Sequence, residues 1–550
     1  MGKPKSRAQL SMAAAGVSDD WGGIPDSHWS YQFYKHVLLA FDDAAFGGLY
    51  QSGGRQPVSP RLLCGVMILQ YMHRVSDRVA ADNTVMRRDW RIALGLEPGY
   101  QAFHPTVLCY FRRRLLEHDR ERAIFDTVWQ RVQDLGLVRQ HTKVRVDATH
   151  LIADVAVLSR GDMLREALRV VVCNLGMARP KVWRRLDFLS LRERYGTECW
   201  LGGSRDTEGT LCDLARDGQR LLRLCGPYDV KGRAVLERML AENFVFAGDE
   251  PTARPPAELP PDHLVTPHEP DVEVGKEGAK LWNGDKVHVV ETTVAGEPGF
   301  ISDVVVTGPR VPDNILLPEV AQRVAFNTPA VDTVLADSGY AAAGNTAAAA
   351  ELGLDLVSRP RVNNSRGFFP ATDFDLDLAR QVARCPQGHE SLPWRRDARL
   401  RIKFPRGACR ACPRRAECTN SPTEPRTLTL SPHYEQLVAD RARAGTAEHR
   451  KLYRQRAGIE ATMSELVHRC GLRRSRYRGR RKRALHALLA ATALNVRRLL
   501  RRLAPRDTPR QAMIASLRGP WQALTRAPQR FPEAAGEDFR PPHRAVAQAA

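Results

Sequence analysis

Three carboxylates in this 550-residue chain stand where catalysis would place them. Asp147 ends a short alternating, β-branched run, Lys143 to Asp147, and is followed by Ala148 and Thr149. Asp337 ends a second such run, Thr333 to Asp337, and is followed by Ser338, Gly339 and Tyr340. Strand ends that open into small residues are where α/β folds carry site residues. An Asp at the end of a buried strand is costly unless it is paired, hydrogen-bonded or bound to a metal. Singly, each suits a turn; on neighbouring strands the pair becomes a candidate metal site. The third acid, Glu460, shares a helical stripe with Tyr453, Arg456, Met463 and Val467, at spacings of three and four. By spacing alone, an intrahelical Arg456–Glu460 ion pair accounts for it.

Two further clusters carry chemistry. Cys385-Pro386-Gln387-Gly388-His389 precedes Cys409-Arg410-Ala411-Cys412 and Cys418. A CxxC with two further cysteines suits a closed tetrahedral zinc site of four thiolates, with His389 as the competing fourth ligand. The other cysteines are scattered and read as reduced packing residues. From Arg473 to Arg483, eight of eleven residues are basic: Arg473, Arg474, Arg476, Arg478, Arg480, Arg481, Lys482 and Arg483. Such density predicts phosphate neutralisation, with Tyr477 placed to stack on an unpaired base; a solvated loop is the alternative.

The elements that must position these residues follow from periodicity. Residues 20–140 read as helical, with Ser59-Pro60 and His104-Pro105-Thr106 as helix starts. Arg112, Arg113 and Arg114 end the second of these helices and suit either a phosphate backbone or a solvated face. After the run ending at Asp147, residues 150–281 read as a helical insertion closing in a Pro-rich linker, Pro251 to Pro270. Strands resume at Lys286–Thr293 and Phe300–Thr307, joined by a turn through Ala295–Gly299. A helix over 315–325, the strand ending at Asp337, an alanine-rich helix capped by Asn345 and a strand over Leu354–Val357 complete the set. The expected fold is α/β, a mixed five-stranded sheet flanked by helices. The helix carrying Glu460 is expected from about Ala447 to Cys470. The expected units are a helical domain over 20–140, a core over 141–360, a cysteine-rich insertion over 361–430, final helices and basic stripe over 431–504, and a disordered tail over 505–550.

Composition narrows the function. Lys and Arg number 83 against 62 Asp and Glu, a net charge of +21, which points to a polyanionic partner, nucleic acid first. Met1 to Arg7 is basic with no apolar run behind it, and the longest apolar run, Ala484 to Val496, is too short to span a bilayer. A cytoplasmic protein with no membrane partner is expected.

Asp147, Asp337 and the pattern Tyr453-x-x-Arg456-x-x-x-Glu460 together resemble the insertion-sequence transposases with an RNase H-like DDE core, in the group with a Tyr-Arg-Glu-Lys signature. Gly471 to Gly479 is typical of them, and Trp90–Leu96 and Phe111–Leu115 are similar to the N-terminal helical domain of InsH-like members. The likeness runs from roughly residue 25 to 500. It implies cleavage at element ends in double-stranded DNA, then transfer of the freed 3′-hydroxyl to target DNA. It implies two magnesium or manganese ions on Asp147, Asp337 and Glu460, with Asp147 bridging and Tyr453 and Arg456 in support. It also implies a homo-oligomer on DNA, associated with the bacterial nucleoid. Two departures stand out: Val467 occupies the place of the signature lysine, with His468 and Arg469 beside it, and the 150–281 insertion has no derived role. A non-catalytic DNA-binding remnant and an RNase H-like nuclease without joining activity are the alternatives.

Overall fold

The computed structural model describes residues 24–504 apart from 52, 54–55, 98, 139–141, 156–157, 198–206, 294–297, 329–330, 361–366 and 397–398. Most of the expected turn through Ala295–Gly299, the expected tail over 505–550 and Cys199 lie outside the described residues.

Six strands form the central mixed sheet: β1 (Thr142–Ile152), β2 (Glu273–Glu277), β3 (Lys280–Thr292), β4 (Ile301–Thr307), β5 (Val331–Ala336) and β6 (Asp355–Val357). At its centre β1 runs antiparallel to β3 and parallel to β5, which in turn pairs in parallel with β6. The outer edge of β3 is taken first by β2 and then by β4. The five expected strands are all present, but the sheet is one strand larger than the sequence suggested. The addition, β2, lies within the segment read as the insertion. It forms because β3 starts at Lys280, earlier than its valine run, and the added length pairs with β2 on one side and the end of β1 on the other. Trp282 on that extension stacks on His150 with ring centroids 4.1 Å apart.

Strand alternation divides the helices into two layers. On one face Val144 and Val146 of β1, with Val290 and Val334, pack against Leu316, Leu317 and Val320 of helix α5. This helix spans Asp313–Asn327, and α6 (Ala343–Glu351) lies beside it. Pro318 lies inside α5 and has no N–H to offer the Asn314 carbonyl. Asn345 Nδ2 donates to that carbonyl at 2.8 Å and to Tyr340 O at 2.8 Å. Asn345 is therefore not the cap the sequence suggested: α6 begins two residues before it, and its amide ties α5 to the loop after β5. On the opposite face lie α7 (Gly458–Cys470) and α8 (Arg480–Leu503).

The helices of the first 140 residues share their core with α8 and with β3 and β4. They include α1 (Pro60–His73), α2 (Asp77–Met86), α3 (Thr106–Glu117) and α4 (Ala123–Asp134). Ser59 caps α1 as its sequence predicts, its hydroxyl accepting the Leu62 N–H at 3.3 Å. The segment 150–281 contains the expected helices, Arg160–Ala178, Leu186–Tyr195, Glu208–Cys225 and Arg233–Asn243, around a core of their own. Its Pro-rich stretch is not simply a linker. Pro251 lies in a hairpin of Phe244–Ala247 with Glu250–Ala253, and Glu269 is buried against the start of α8. The cysteine-rich region has a small core that includes Phe374, Leu400, Ile402, Phe404, Leu428 and Leu430.

The junction at α8 is ionic. Arg483 is fully buried and pairs with Glu269 and Asp285, while Arg480 reaches Asp285 at 2.9 Å and Glu273 at 2.6 Å. Breaking a buried pair leaves an uncompensated charge. Arg483→Ala should destabilise the protein by about 3–5 kcal/mol, read as a lower urea midpoint; an unchanged midpoint would remove this junction from the account.

Candidate active site

The parallel pairing of β1 and β5 ends at Val146 opposite Ala336. Asp147 and Asp337 are the next residue on each strand, so the two acids stand side by side where the ladder stops. Sequence reading put Asp147 at a strand end. The structure corrects this: β1 continues to Ile152, with Asp147 opposite Val289 of β3. Only the pairing on the β5 side has ended, which is the side on which the second acid lies.

Each acid is steadied by backbone. Asp147 Oδ1 accepts the Ala148 N–H at 2.8 Å, and Asp337 Oδ1 accepts the Gly339 N–H at 2.8 Å. Burial pushes the Asp147 carboxyl above the ordinary carboxylate range, and the charge of Asp337 pushes it further. The Ala148 N–H and the Arg456 guanidinium oppose this without overcoming it. A cation is the natural relief for two such neighbours.

Glu460 is differently placed. Its helix is not continuous from Ala447: it is interrupted by a tight turn over Arg454–Ala457, after which α7 begins at Gly458. Glu460 lies in the first turn of α7 with its side chain largely exposed. Arg456 bridges the gap, donating to Asp147 Oδ2 at 3.0 Å and to Glu460 Oε1 at 3.4 Å. The intrahelical pair read from spacing is thus present, but it is half of a three-residue bridge. Tyr453 lies near the Arg456 guanidinium, 5.9 Å from its ring centre, and has Arg359 at 5.0 Å. Val467 is half-buried; among its neighbours, Arg469 pairs with Glu465 at 3.0 Å, while the His468 side chain is exposed.

A fourth acid, missed in the sequence, sits beside Asp337. A Cβ at Gly339 would meet Asp337 Oδ1 at 2.9 Å and Asp313 Oδ2 at 3.0 Å. Asp313 opens α5 and is held by Lys286 Nζ at 2.9 Å. Behind it the buried Tyr340 hydroxyl meets His288 Nδ1 at 2.6 Å. Burial, and then the charges of Asp313, Asp147 and Asp337, raise the Tyr340 phenol well above its usual range. Burial takes His288 down to about 4, so it is neutral at physiological pH. The only sequence signal for Asp313 was its place after Pro312 at a helix start.

Among the described residues no three histidine, cysteine, aspartate or glutamate side chains are grouped closely enough to hold a metal ion. The donor chemistry nevertheless fits a divalent cation at Asp147 and Asp337, oxygen ligands that repel one another. Glu460 is joined to them only through a guanidinium. In the cysteine-rich region Cys385, Cys409, Cys412, Cys418 and His389 line one small cavity. The Cys385 N–H is bonded to His389 O at 2.9 Å, and Gly388 takes the positive φ of +80° that this turn needs. None of the described cysteines forms a disulfide.

The basic stripe is only partly a surface. Arg483 is buried, and Arg480 is committed to acids with it. Arg481 bonds Asp119 at 2.6 Å, Arg476 donates to Val75 O at 2.8 Å, and Arg473 donates to His150 O at 3.3 Å. Tyr477 is half-buried, with Arg112 5.0 Å above its ring. Arg474, Arg478 and Lys482 remain exposed, and none of the three has an ion-pair partner among the described residues. In α3, Arg112 is buried on Asp77 rather than free, Arg113 pairs with Glu117 at 3.5 Å, and Arg114 lies 4.7 Å from the Tyr50 ring centre.

Two family models match the chain: a transposase domain (DUF772) over residues 24–114 and a transposase DDE domain over residues 384–500. The resemblance to insertion-sequence DDE transposases is borne out by these two segments. The second takes in the four clustered cysteines, Glu460 and the basic stripe; Asp147 and Asp337 lie outside both. Comparison with curated proteins and with solved structures found no match. Among the described residues no helix is long and apolar enough to cross a membrane.

The raised Asp147 carboxyl carries a stability consequence. Its proton is held more tightly in the folded state than in the unfolded chain, so ionisation above the unfolded value costs stability. In metal-free buffer at pH 7, Asp147→Asn should therefore melt above the parent, with the margin shrinking as pH falls toward the ordinary carboxylate range. A lower midpoint at pH 7 would contradict the strained pair.

Proposed function

We propose that the protein is a DNA transposase of an insertion sequence, cutting element ends and joining them to target DNA at an RNase H-like core. The observation that carries this reading is the juxtaposition of Asp147 and Asp337 at the end of the β1–β5 ladder, in a chain matched at both ends by transposase families. The strand order, with β1 central between antiparallel β3 and parallel β5, supports the RNase H-like assignment.

Asp147 and Asp337 would hold a first magnesium or manganese ion, and Glu460 would complete the set for a second. Such ions activate the attacking oxygen and stabilise the leaving one, so no protein nucleophile is required. The chain's own task is placement. The Ala148 and Gly339 N–H groups fix one oxygen of each Asp, and the second oxygen of Asp147 is held by Arg456, so a ligand there would take the place of that guanidinium. Arg456 balances Asp147 and Glu460 while the site is without DNA, and its planar guanidinium is suited to turn to a phosphate when the acids take up metal. Arg474, Arg478 and Lys482 are the stripe residues available to the DNA backbone. An oligomer that brings two ends together belongs to this reading by analogy.

We assign structural zinc to the cavity lined by Cys385, Cys409, Cys412 and Cys418, on the chemistry of four thiols in a region with a small core. Purified protein should contain about one zinc per chain, and Cys409→Ser should lose it and become protease-sensitive over 369–434. A zinc-free parent protein, with Cys409→Ser indistinguishable from it, would end the assignment.

The test of the central reading is incubation of the full chain with DNA bearing the element's own ends, in magnesium. Nicking and joined products are expected. Asp147→Ala, Asp337→Ala and Glu460→Gln should each abolish both while retaining end binding. Binding without cutting by the parent would favour a non-catalytic remnant, and cutting without joining would favour a nuclease; an active triple variant would remove these acids from the chemistry.

A further inference from the structure

Glu291 is a carboxylate with no access to solvent, next to the end of β3 and directly after Val289 and Val290, and the proposed chemistry does not use it. It lies on β3 directly opposite Arg145 of β1, at a break in the β3–β4 register between Val290 and Glu291. Such irregularities re-aim a side chain. Glu291 accepts from Arg145 Nε at 3.0 Å, from Thr462 Oγ1 at 2.6 Å and from Arg498 Nη1 at 2.7 Å. Arg498 Nη2 also donates to Thr462 Oγ1 at 2.7 Å, and to Glu465 Oε2 at 3.0 Å.

The two ends of this cluster are two residues from the proposed catalytic acids. Arg145 precedes Asp147 by two positions on β1, so both project from the same face. Thr462 follows Glu460 by two positions on α7. Arg145 also donates through Nη1 to Gln455 O at 3.0 Å, gripping the turn that delivers α7. A Cβ at Gly458 would lie 1.7 Å from that same nitrogen, so the contact requires glycine there. Gly458 has φ −62°, ordinary helical backbone, so only space demands the glycine.

We infer that Glu291 is a positioning residue: with Arg145, Thr462 and Arg498 it fixes the height and rotation of α7 on the sheet, and through them the place of Glu460 relative to Asp147. The inference rests on the proposed DDE reading for its functional half. Apolar packing of Ile459 and Leu466 already supplies cohesion between α7 and its neighbours, but it tolerates sliding. Two carboxylates and two guanidiniums that must satisfy one another in a dry site accept one register.

The experiment uses Thr462→Val, which removes the hydroxyl and keeps the shape, and Gly458→Ala, which evicts the Arg145 guanidinium while raising helix propensity. Neither strands a lone buried charge as Glu291→Gln would. Amide hydrogen exchange of the metal-free, DNA-free protein should show protection over 458–463 falling about tenfold in both variants, the scale of one or two lost hydrogen bonds. End cleavage should fall by up to about a hundredfold in kcat, with half-saturation by DNA unchanged. Unchanged exchange in Thr462→Val would overturn the clamp, whatever the activity. Loosened exchange with unchanged kcat, or a loss carried by DNA affinity, would overturn its role in placing Glu460. A parent that fails to cleave would count against the transposase reading alone, because the exchange measurement judges the clamp without it.

Discussion

Two like charges forced into adjacency are the constraint around which this molecule is arranged. Where the β1–β5 ladder stops, Asp147 and Asp337 emerge together, and burial, with the charge of Asp337 added to it, makes ionisation of Asp147 harder than for an ordinary carboxyl. The surrounding structure answers with donors and cations: backbone N–H groups on each acid, Arg456 across the front and Lys286 on the adjoining Asp313. A protein selected for stability alone would have neutralised one of these acids. Under the proposed function, retaining them is the trade of stability for function that active sites make.

The same solution recurs away from the site. Where this protein joins one segment to another it uses buried ion clusters: Arg483 with Glu269 and Asp285 between the insertion and α8, and Arg498 with Glu291 and Glu465 between α7, α8 and the sheet. The basic residues of the chain are therefore not all displayed. Some are internal and balanced by acids, so the gross count of 83 Lys and Arg, and not the net charge, overstates how many are available to a nucleic acid.

How much was legible in the sequence follows from the range of each signal. β-branched runs and caps are local, and the five expected strands and the Ser59 cap are present, although β1 runs on past Asp147 to Ile152 and β3 starts earlier, at Lys280. Asp147 and Asp337 were found because strand ends followed by glycine or small residues are a local pattern. The role of Arg483 was not legible: a run of arginines looks the same whether its partners are phosphates in solution or Glu269, more than 200 residues away. Glu291 was passed over because one acid in a valine run carries no mark of the two guanidiniums that meet it. β2 and the break before α7 were missed because each depends on a partner supplied by another element, the β3 extension in one case and Arg145 in the other.

The shared core of the first helices and α8 has a consequence for how the protein comes into being. Tyr71 and His486, bonded at 3.0 Å, are 415 residues apart in the chain. At ribosomal speeds of ~5–20 residues per second, the early helices wait on the order of 20–80 s for the segment that covers them. During that interval α1, apolar around nearly its whole circumference, has no permanent neighbour along one side. Newborn copies thus carry an uncovered apolar side on α1 until α8 arrives, and a chain truncated before α8 would keep it exposed, the kind of surface that favours aggregation.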